Sequence, residues 1–309
     1  MTKVLSVSAS REHKDRLFNF IFGRKENRKW TLSLYNALNN STYKDASKIE
    51  FNTLEEYLYV GMKNDTSFLF SGYVNLYEHQ STYNPNIPLR MMQYISAMYD
   101  GYISANDLDK YGEELLRLPT PKLVMFYNGR KDEPDEKILR LSDSFSKRTK
   151  NKSDIEVKVR MLNINHGHNK ELMEACRPLY EYSWFVQTIR DKKKDIDDLE
   201  ETVGKALQVM PDDFILKPFL LKNMAEVTTM LSAELQEINA KELIARANFK
   251  KGERKGEKKG EKKGVTNTVD LMNWLFSQNR DEDVKKATQD PEYLDKLFAE
   301  YNAAHKKKK

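Results

Sequence analysis

Residues 65–80, DTSFLFSGYVNLYEHQ, constrain the fold more than any other stretch, because two β-rich runs flank the dipeptide Ser71-Gly72. A two-residue hairpin turn fixes the pairing of both strands at once. Residue 70 then opposes 73, opposing residue numbers sum to 143, and Asp65 stands across from Glu78 with Cβ atoms about 4.5–5.5 Å apart. Side chains alternate along a strand, so Gln80 shares the face of Glu78, while Tyr77 and His79 take the other. Like charges placed opposite each other are unfavourable unless a cation lies between them. Hard oxygen donors of this kind suit Mg²⁺ or Mn²⁺. The bland alternative is a hairpin end with ordinary exposed charges, and a register slip of one residue would disperse the cluster. If repulsion governs, neutralising Asp65 or Glu78 raises the metal-free melting temperature.

The rest of the chain alternates between helical and strand-like texture. Leu17, Phe18, Ile21 and Phe22 recur at helical spacing; Gly23 interrupts them, and Leu32, Leu34, Tyr35 and Leu38 resume it, which predicts two helices. The run YLYVGM at 57–62 reads as a further strand before the hairpin. NPNIPLRMMQYISAMYDGYI returns to helical spacing after two prolines, and KLVMFYNG and IEVKVRMLNIN read as strands that end in loops. A helix carrying Leu179, Tyr182, Phe185, Val186 and Ile189 follows, and the remainder is helical in pattern. Asp290-Pro291-Glu292 announces the last helix, with a capping acid followed by proline at the first helical position.

At 309 residues the chain can bury a substantial core, and 39% hydrophobic against 32% charged residues is a foldable mixture. No apolar run approaches the roughly 20 residues of a membrane span, and the opening MTKVLSVSAS lacks a signal-like apolar stretch. A soluble, cytoplasmic protein without membrane partners is the expectation. The single cysteine, Cys176, rules out a disulfide or a multi-cysteine zinc site within one chain. The net charge of +5 is concentrated: KKGERKGEKKGEKKG at 250–264 carries +5 and the terminal KKKK +4, leaving −4 for everything else. The body is therefore not a basic protein, and attraction to phosphate falls to the tails or to local patches such as Arg11, Lys14, Arg16, Arg24, Lys25, Arg28 and Lys29. Glycine recurs every four residues in the repeat at about 1 kcal/mol each relative to alanine in a helix. A frayed helix or flexible linker is expected there, leading to a tail with Leu271, Trp274, Leu275, Tyr293, Leu294, Leu297 and Phe298 that suits docking or homo-oligomerisation.

The segment MKNDTSFLFSGYVNLYEHQSTYNPNIPLRMMQYI, with DRLFNFIFG before it and LVMFYNG, NINHGHNKELMEACRPLYEYSWFV and FLLKNMAEV after it, resembles the bacterial recombination-promoting nuclease (Rpn)/transposase family of the PD-(D/E)XK superfamily. The resemblance spans most of the chain. It implies an α/β, restriction-endonuclease-like core at 1–190 with a mixed central sheet flanked by helices, a helical extension at 191–249, the repeat as a linker at 250–264, and a helical tail at 265–309. It implies metal-dependent DNA cleavage with Mg²⁺ or Mn²⁺ held by Asp65, Glu78 and the backbone carbonyl of His79. The superfamily's E-x-K lysine position holds Gln80 instead, an amide that can hydrogen-bond water or phosphate but carries no charge. Lys63 and Arg90 are candidate replacements for that cation, each with a structural role as the alternative. By the same resemblance Asp15 is an auxiliary acid, and by position it is also simply an acid near a helix start. The runner-up function is a catalytically silent member of the fold that binds DNA or protein.

Three other groups carry weaker signals. His166 and His168 have an i, i+2 spacing without a third ligand nearby. Tyr180, Tyr182, Trp184 and Phe185 fit a core face better than a base-stacking platform. Cys176 reads as a small buried residue.

Overall fold

A computed structural model of the chain describes residues 17–51, 66–287 and 290–306; within these, the side chains of residues 150, 237, 241–242, 245–248 and 250–266 are not described. Contacts group the chain into two units, Met1–Ile238 and Asn239–Lys309.

The first unit is α/β, with an open, mixed six-stranded sheet in the order β1-β2-β3-β4-β6-β5. Its strands are β1 (Glu50–Phe51), β2 (Thr66–Phe70), β3 (Tyr73–Gln80), β4 (Thr120–Tyr127), β5 (Glu136–Arg140) and β6 (Lys158–Asn163). The hairpin has the register read from its turn: β2 and β3 pair antiparallel from Phe70↔Tyr73 to Thr66↔Tyr77. Ser71 (φ 52°) and Gly72 (φ 79°) both adopt left-handed backbone, as the tight turn between twisted strands demands. A Cβ on Gly72 would meet nothing within 4 Å, so conformation rather than space selects glycine there. β3 then pairs parallel with β4, and β4 parallel with β6, while β5 closes the far edge antiparallel to β6.

Helix α3 (Ile87–Ala105) crosses between β3 and β4 and covers one face of the sheet, packing Ile87, Met91, Tyr94 and Met98 with Val74, Leu76, Met125, Tyr127 and Met161. The opposite face receives α1 (Leu17–Phe22), α2 (Arg28–Asn39), α4 (Lys170–Ala175) and α5 (Arg177–Lys192) against Phe68, Tyr77, Phe126 and Leu162. The apolar spacings in the first forty residues thus become two helices. Gly23 follows the first, and a Cβ there would lie 1.8 Å from Asn19 Oδ1 and 2.8 Å from Thr66 Oγ1, so the close approach calls for glycine. Helices α6 (Leu199–Val209) and α7 (Lys217–Lys222) and the first turns of α8 (Met224–Ser277) enter the same core through Val203, Leu207, Leu220, Val227 and Leu231.

In the second unit α9 (Asp281–Ala287) and α10 (Pro291–Lys306) follow α8. Leu271, Leu275, Ala287 and Leu297 form a small core joined by Trp274, Tyr293, Leu294 and Phe298, so the apolar residues noted in the tail do converge. Asp290 caps α10, accepting from the backbone N–H groups of Glu292 (3.0 Å) and Tyr293 (3.1 Å). The repeat at 250–264 continues α8 as helix. Three of every four residues there are Lys, Arg or Glu, good helix formers that offset the glycines. The strand expected at 57–62 lies outside the described residues. Strand β5 and the two-residue β1 had no counterpart in the sequence reading.

Candidate active site

β3 is flanked by strands on both sides and by helices on both faces, so its polar carboxyl end is enclosed: Glu78 and Gln80 are each 2% exposed and His79 is fully buried. Alternation sends Glu78 and Gln80 toward α3 and His79 toward α5. The Gln80 amide Nε2 donates to Glu78 Oε1 at 2.7 Å. Arg90, in the first turn of α3, donates from Nη2 to the same oxygen at 2.7 Å and to the Tyr94 hydroxyl at 2.8 Å. Arg90 and Tyr94 stand one helical turn apart, so a single face of α3 delivers both, with the guanidinium 5.6 Å from the Tyr94 ring centre. The carboxylate's negative charge is thus met by a cation and an amide in a site that excludes most water, where each interaction is stronger than at the surface.

The sheet extends the site sideways. Glu78 lies beside Met125, Met125 beside Met161, and Met161 beside Lys137, so the four share one row on the α3 face. Three strand spacings put Glu78 and Lys137 roughly 14 Å apart. Lys137 Nζ sits 4.6 Å from the centre of the Tyr83 ring, just beyond β3.

On the other face, His79 Nε2 and the Tyr182 hydroxyl are 3.0 Å apart, and the Asn128 side-chain amide donates to that hydroxyl at 3.3 Å. Arg190 donates to the Asn128 carbonyl and, at 2.7 Å, to Asn165 Oδ1. Its burial pulls the guanidinium pKa below the ordinary value. Asn128 N–H in turn donates to the Gln80 carbonyl at 3.1 Å, so the backbone beside Gln80 is tied to α5. The carbonyls of a strand alternate in direction, and with that of Gln80 aimed at β4, that of His79 points to the β2 side.

No family model, curated protein or solved structure matches this chain. Glu78, Gln80 and Arg90 come together; Asp15, Lys63 and Asp65 lie outside the described residues. Among the described residues no group of three His, Cys, Asp or Glu side chains gathers as a metal site. The Glu78 carboxylate is a hard oxygen donor of the type Mg²⁺ and Mn²⁺ prefer, so it fits such an ion as one member of a ligand set, although its Oε1 already accepts from Gln80 and Arg90.

The other sequence signals resolve into structural roles. His168 Nδ1 lies 2.6 Å from Asp135 Oδ1, and this contact holds the Asp135 carboxyl below its usual range. The pair anchors the loop after β6. The His166 ring lies 5.9 Å from that of Tyr180. Tyr182 and Phe185 are buried in the core, whereas Tyr180 is exposed. Cys176 is buried, accepts a 3.6 Å hydrogen bond from Ser33 Oγ, and has its thiol pushed up to about 11 by desolvation. Tyr94, Asn128, Tyr182 and Arg190 join the site only in the fold. The signal for Tyr94 is its i+4 spacing from Arg90; for the others, nothing local points back across the long stretch of sequence that separates them from β3. No helix among the described residues is long and apolar enough to cross a membrane.

Proposed function

We propose that the chain is a metal-dependent DNA endonuclease that hydrolyses phosphodiester bonds, in keeping with its resemblance to the recombination-promoting nuclease family. The observation that carries this reading is the enclosed Glu78–Gln80–Arg90 cluster at the carboxyl end of β3, beside the parallel strand β4. Carboxyl ends of parallel strands are where open α/β sheets collect their ligands. By the family resemblance, Glu78, the His79 carbonyl and Asp65 would hold Mg²⁺ or Mn²⁺. Such an ion acidifies bound water and neutralises charge developing on the phosphate. Gln80 orients the Glu78 carboxylate through its amide and offers a hydrogen bond to water or phosphate. Arg90 brings the fixed positive charge that the superfamily's lysine supplies elsewhere, from a helix instead of from the strand.

The same Arg90–Glu78 contact favours a second reading, a silent nuclease fold that binds DNA, because a guanidinium already satisfies the carboxylate. Incubation of the full chain with supercoiled and linear DNA separates the two. Cleavage in Mg²⁺ or Mn²⁺ that chelator abolishes and Glu78→Gln removes is the expected result. Retention of DNA without cleavage in either ion supports the silent fold.

A further inference from the structure

The structure assigns to Tyr182 the part of a positioning residue for Glu78 and Gln80, acting through the opposite face of the sheet; the assignment rests on reading those two residues as the reacting end of the site. Tyr182 occupies the middle of α5 and is 1% exposed. Its ring is edge-on to Phe18 (5.7 Å between centroids) and Phe22 (6.4 Å), which fixes the direction of the hydroxyl. That hydroxyl meets two strand ends at once: His79 Nε2 on β3 at 3.0 Å and the Asn128 amide just past β4 at 3.3 Å.

The two contacts bear directly on the site. His79 is the residue between Glu78 and Gln80, so holding its imidazole fixes the backbone from which both neighbours project. Asn128 is held three ways: its N–H donates to the Gln80 carbonyl at 3.1 Å, its side chain donates to Tyr182, and its carbonyl accepts from Arg190. Arg190 also donates to Asn165 Oδ1 at 2.7 Å, and Asn165 Nδ2 donates to the Gly129 carbonyl at 3.0 Å. One helix therefore fastens the carboxyl ends of β3 and β4 and the segment after β6. The hydrogen bonds lie in a buried region where they are strong and directional. Neither Tyr182 nor Arg190 sits on the Glu78 face, and their effect on the chemistry is geometric: a reacting group displaced by about 1 Å can lose on the order of a hundredfold in rate.

The test compares Tyr182→Phe and Arg190→Lys with the parent, using full-length chains, steady-state DNA cleavage and amide hydrogen exchange. Tyr182→Phe keeps the ring contacts and removes only the hydroxyl. We expect kcat to fall about tenfold with KM for DNA unchanged, and exchange at the Asn128 N–H to quicken about tenfold, while exchange at Tyr73 in the hairpin stays at the parental rate. Arg190→Lys, which loses the two-pronged reach, should change both readouts in the same direction. An unchanged kcat with unchanged Asn128 exchange would overturn the assignment, as would uniform acceleration along the hairpin, which marks simple destabilisation. A parent that fails to cleave in Mg²⁺ or Mn²⁺ removes the nuclease reading instead, and the Asn128 exchange rate then decides the clamp by itself.

Discussion

Neutralising Glu78 gives opposite results depending on which neighbour dominates its environment. Repulsion from an opposed Asp65, the expectation from the hairpin register, makes Glu78→Gln stabilising without metal. The Arg90 contact reverses that sign. Arg90 Nη2 lies 2.7 Å from Glu78 Oε1, the glutamate side chain is 3% exposed and the arginine 34%. Two unit charges about 4 Å apart attract by about 4 kcal/mol at an effective dielectric constant near 20, and the desolvation of both groups cancels part of this. Hydrogen bonds to charged groups retain about 1.5–3 kcal/mol net. For a unit of this size each kcal/mol moves the melting temperature by about 2–4 °C. Thermal unfolding in chelator should therefore place Glu78→Gln about 4–8 °C below the parent. Arg90→Met should fall at least as far, because it takes the cation from a buried carboxylate, and the double variant should show a coupling of about 1–3 kcal/mol. Mn²⁺ should then raise the parent's melting temperature by mass action and that of Glu78→Gln much less. A Glu78→Gln chain that melts at or above the parental temperature in chelator would refute the primacy of Arg90 and restore the repulsion account.

Gln80→Lys should keep cleavage close to the parental rate, whereas Gln80→Leu, which deletes the donor to Glu78, should lower kcat/KM by about ten- to a hundredfold; a fully active Leu variant would take Gln80 out of the mechanism. Glu181, fully buried on α5, accepts from Arg177 Nε at 2.8 Å and from the N–H groups of Ile215 (3.0 Å) and Leu216 (2.8 Å). Glu181→Ala should cost about 1–3 kcal/mol by denaturant midpoint, since it leaves the buried Leu216 N–H unmet and takes the acceptor from the half-buried Ile215 N–H. The Cys176 thiol has a folded pKa pushed up from 9.0 to about 11. Between those values the unfolded chain has released a proton that the folded chain keeps, so stability is lost as pH rises, by about 1.4 kcal/mol per pH unit. Unfolding of Cys176→Ala across pH 8–11 should lack that component, and equal slopes in parent and variant would exclude it.

The sequence by itself determined the hairpin and its faces. Ser71-Gly72 admits few turns, a two-residue turn sets the register, and alternation then forces Glu78 and Gln80 to one side and His79 to the other. It also determined the two helices around Gly23 and the helix that begins beside Pro88, because each rests on local apolar spacing. Tertiary structure decided the rest. The parallel pairing of β3 with β4 joins residues some forty-seven positions apart, and no local pattern encodes such a partner. Edge strand β5 reads EKILR, a mostly polar run whose strand character comes from the neighbouring β6. Arg90 showed a positive charge in the sequence, but only the seating of α3 on the sheet aims it at Glu78. Tyr182 showed only a core aromatic, and Arg190 carried no signal at all. Their grip on the ends of β3 and β4 exists only because α5 packs behind those strands, where burial strengthens hydrogen bonds that would be weak in water.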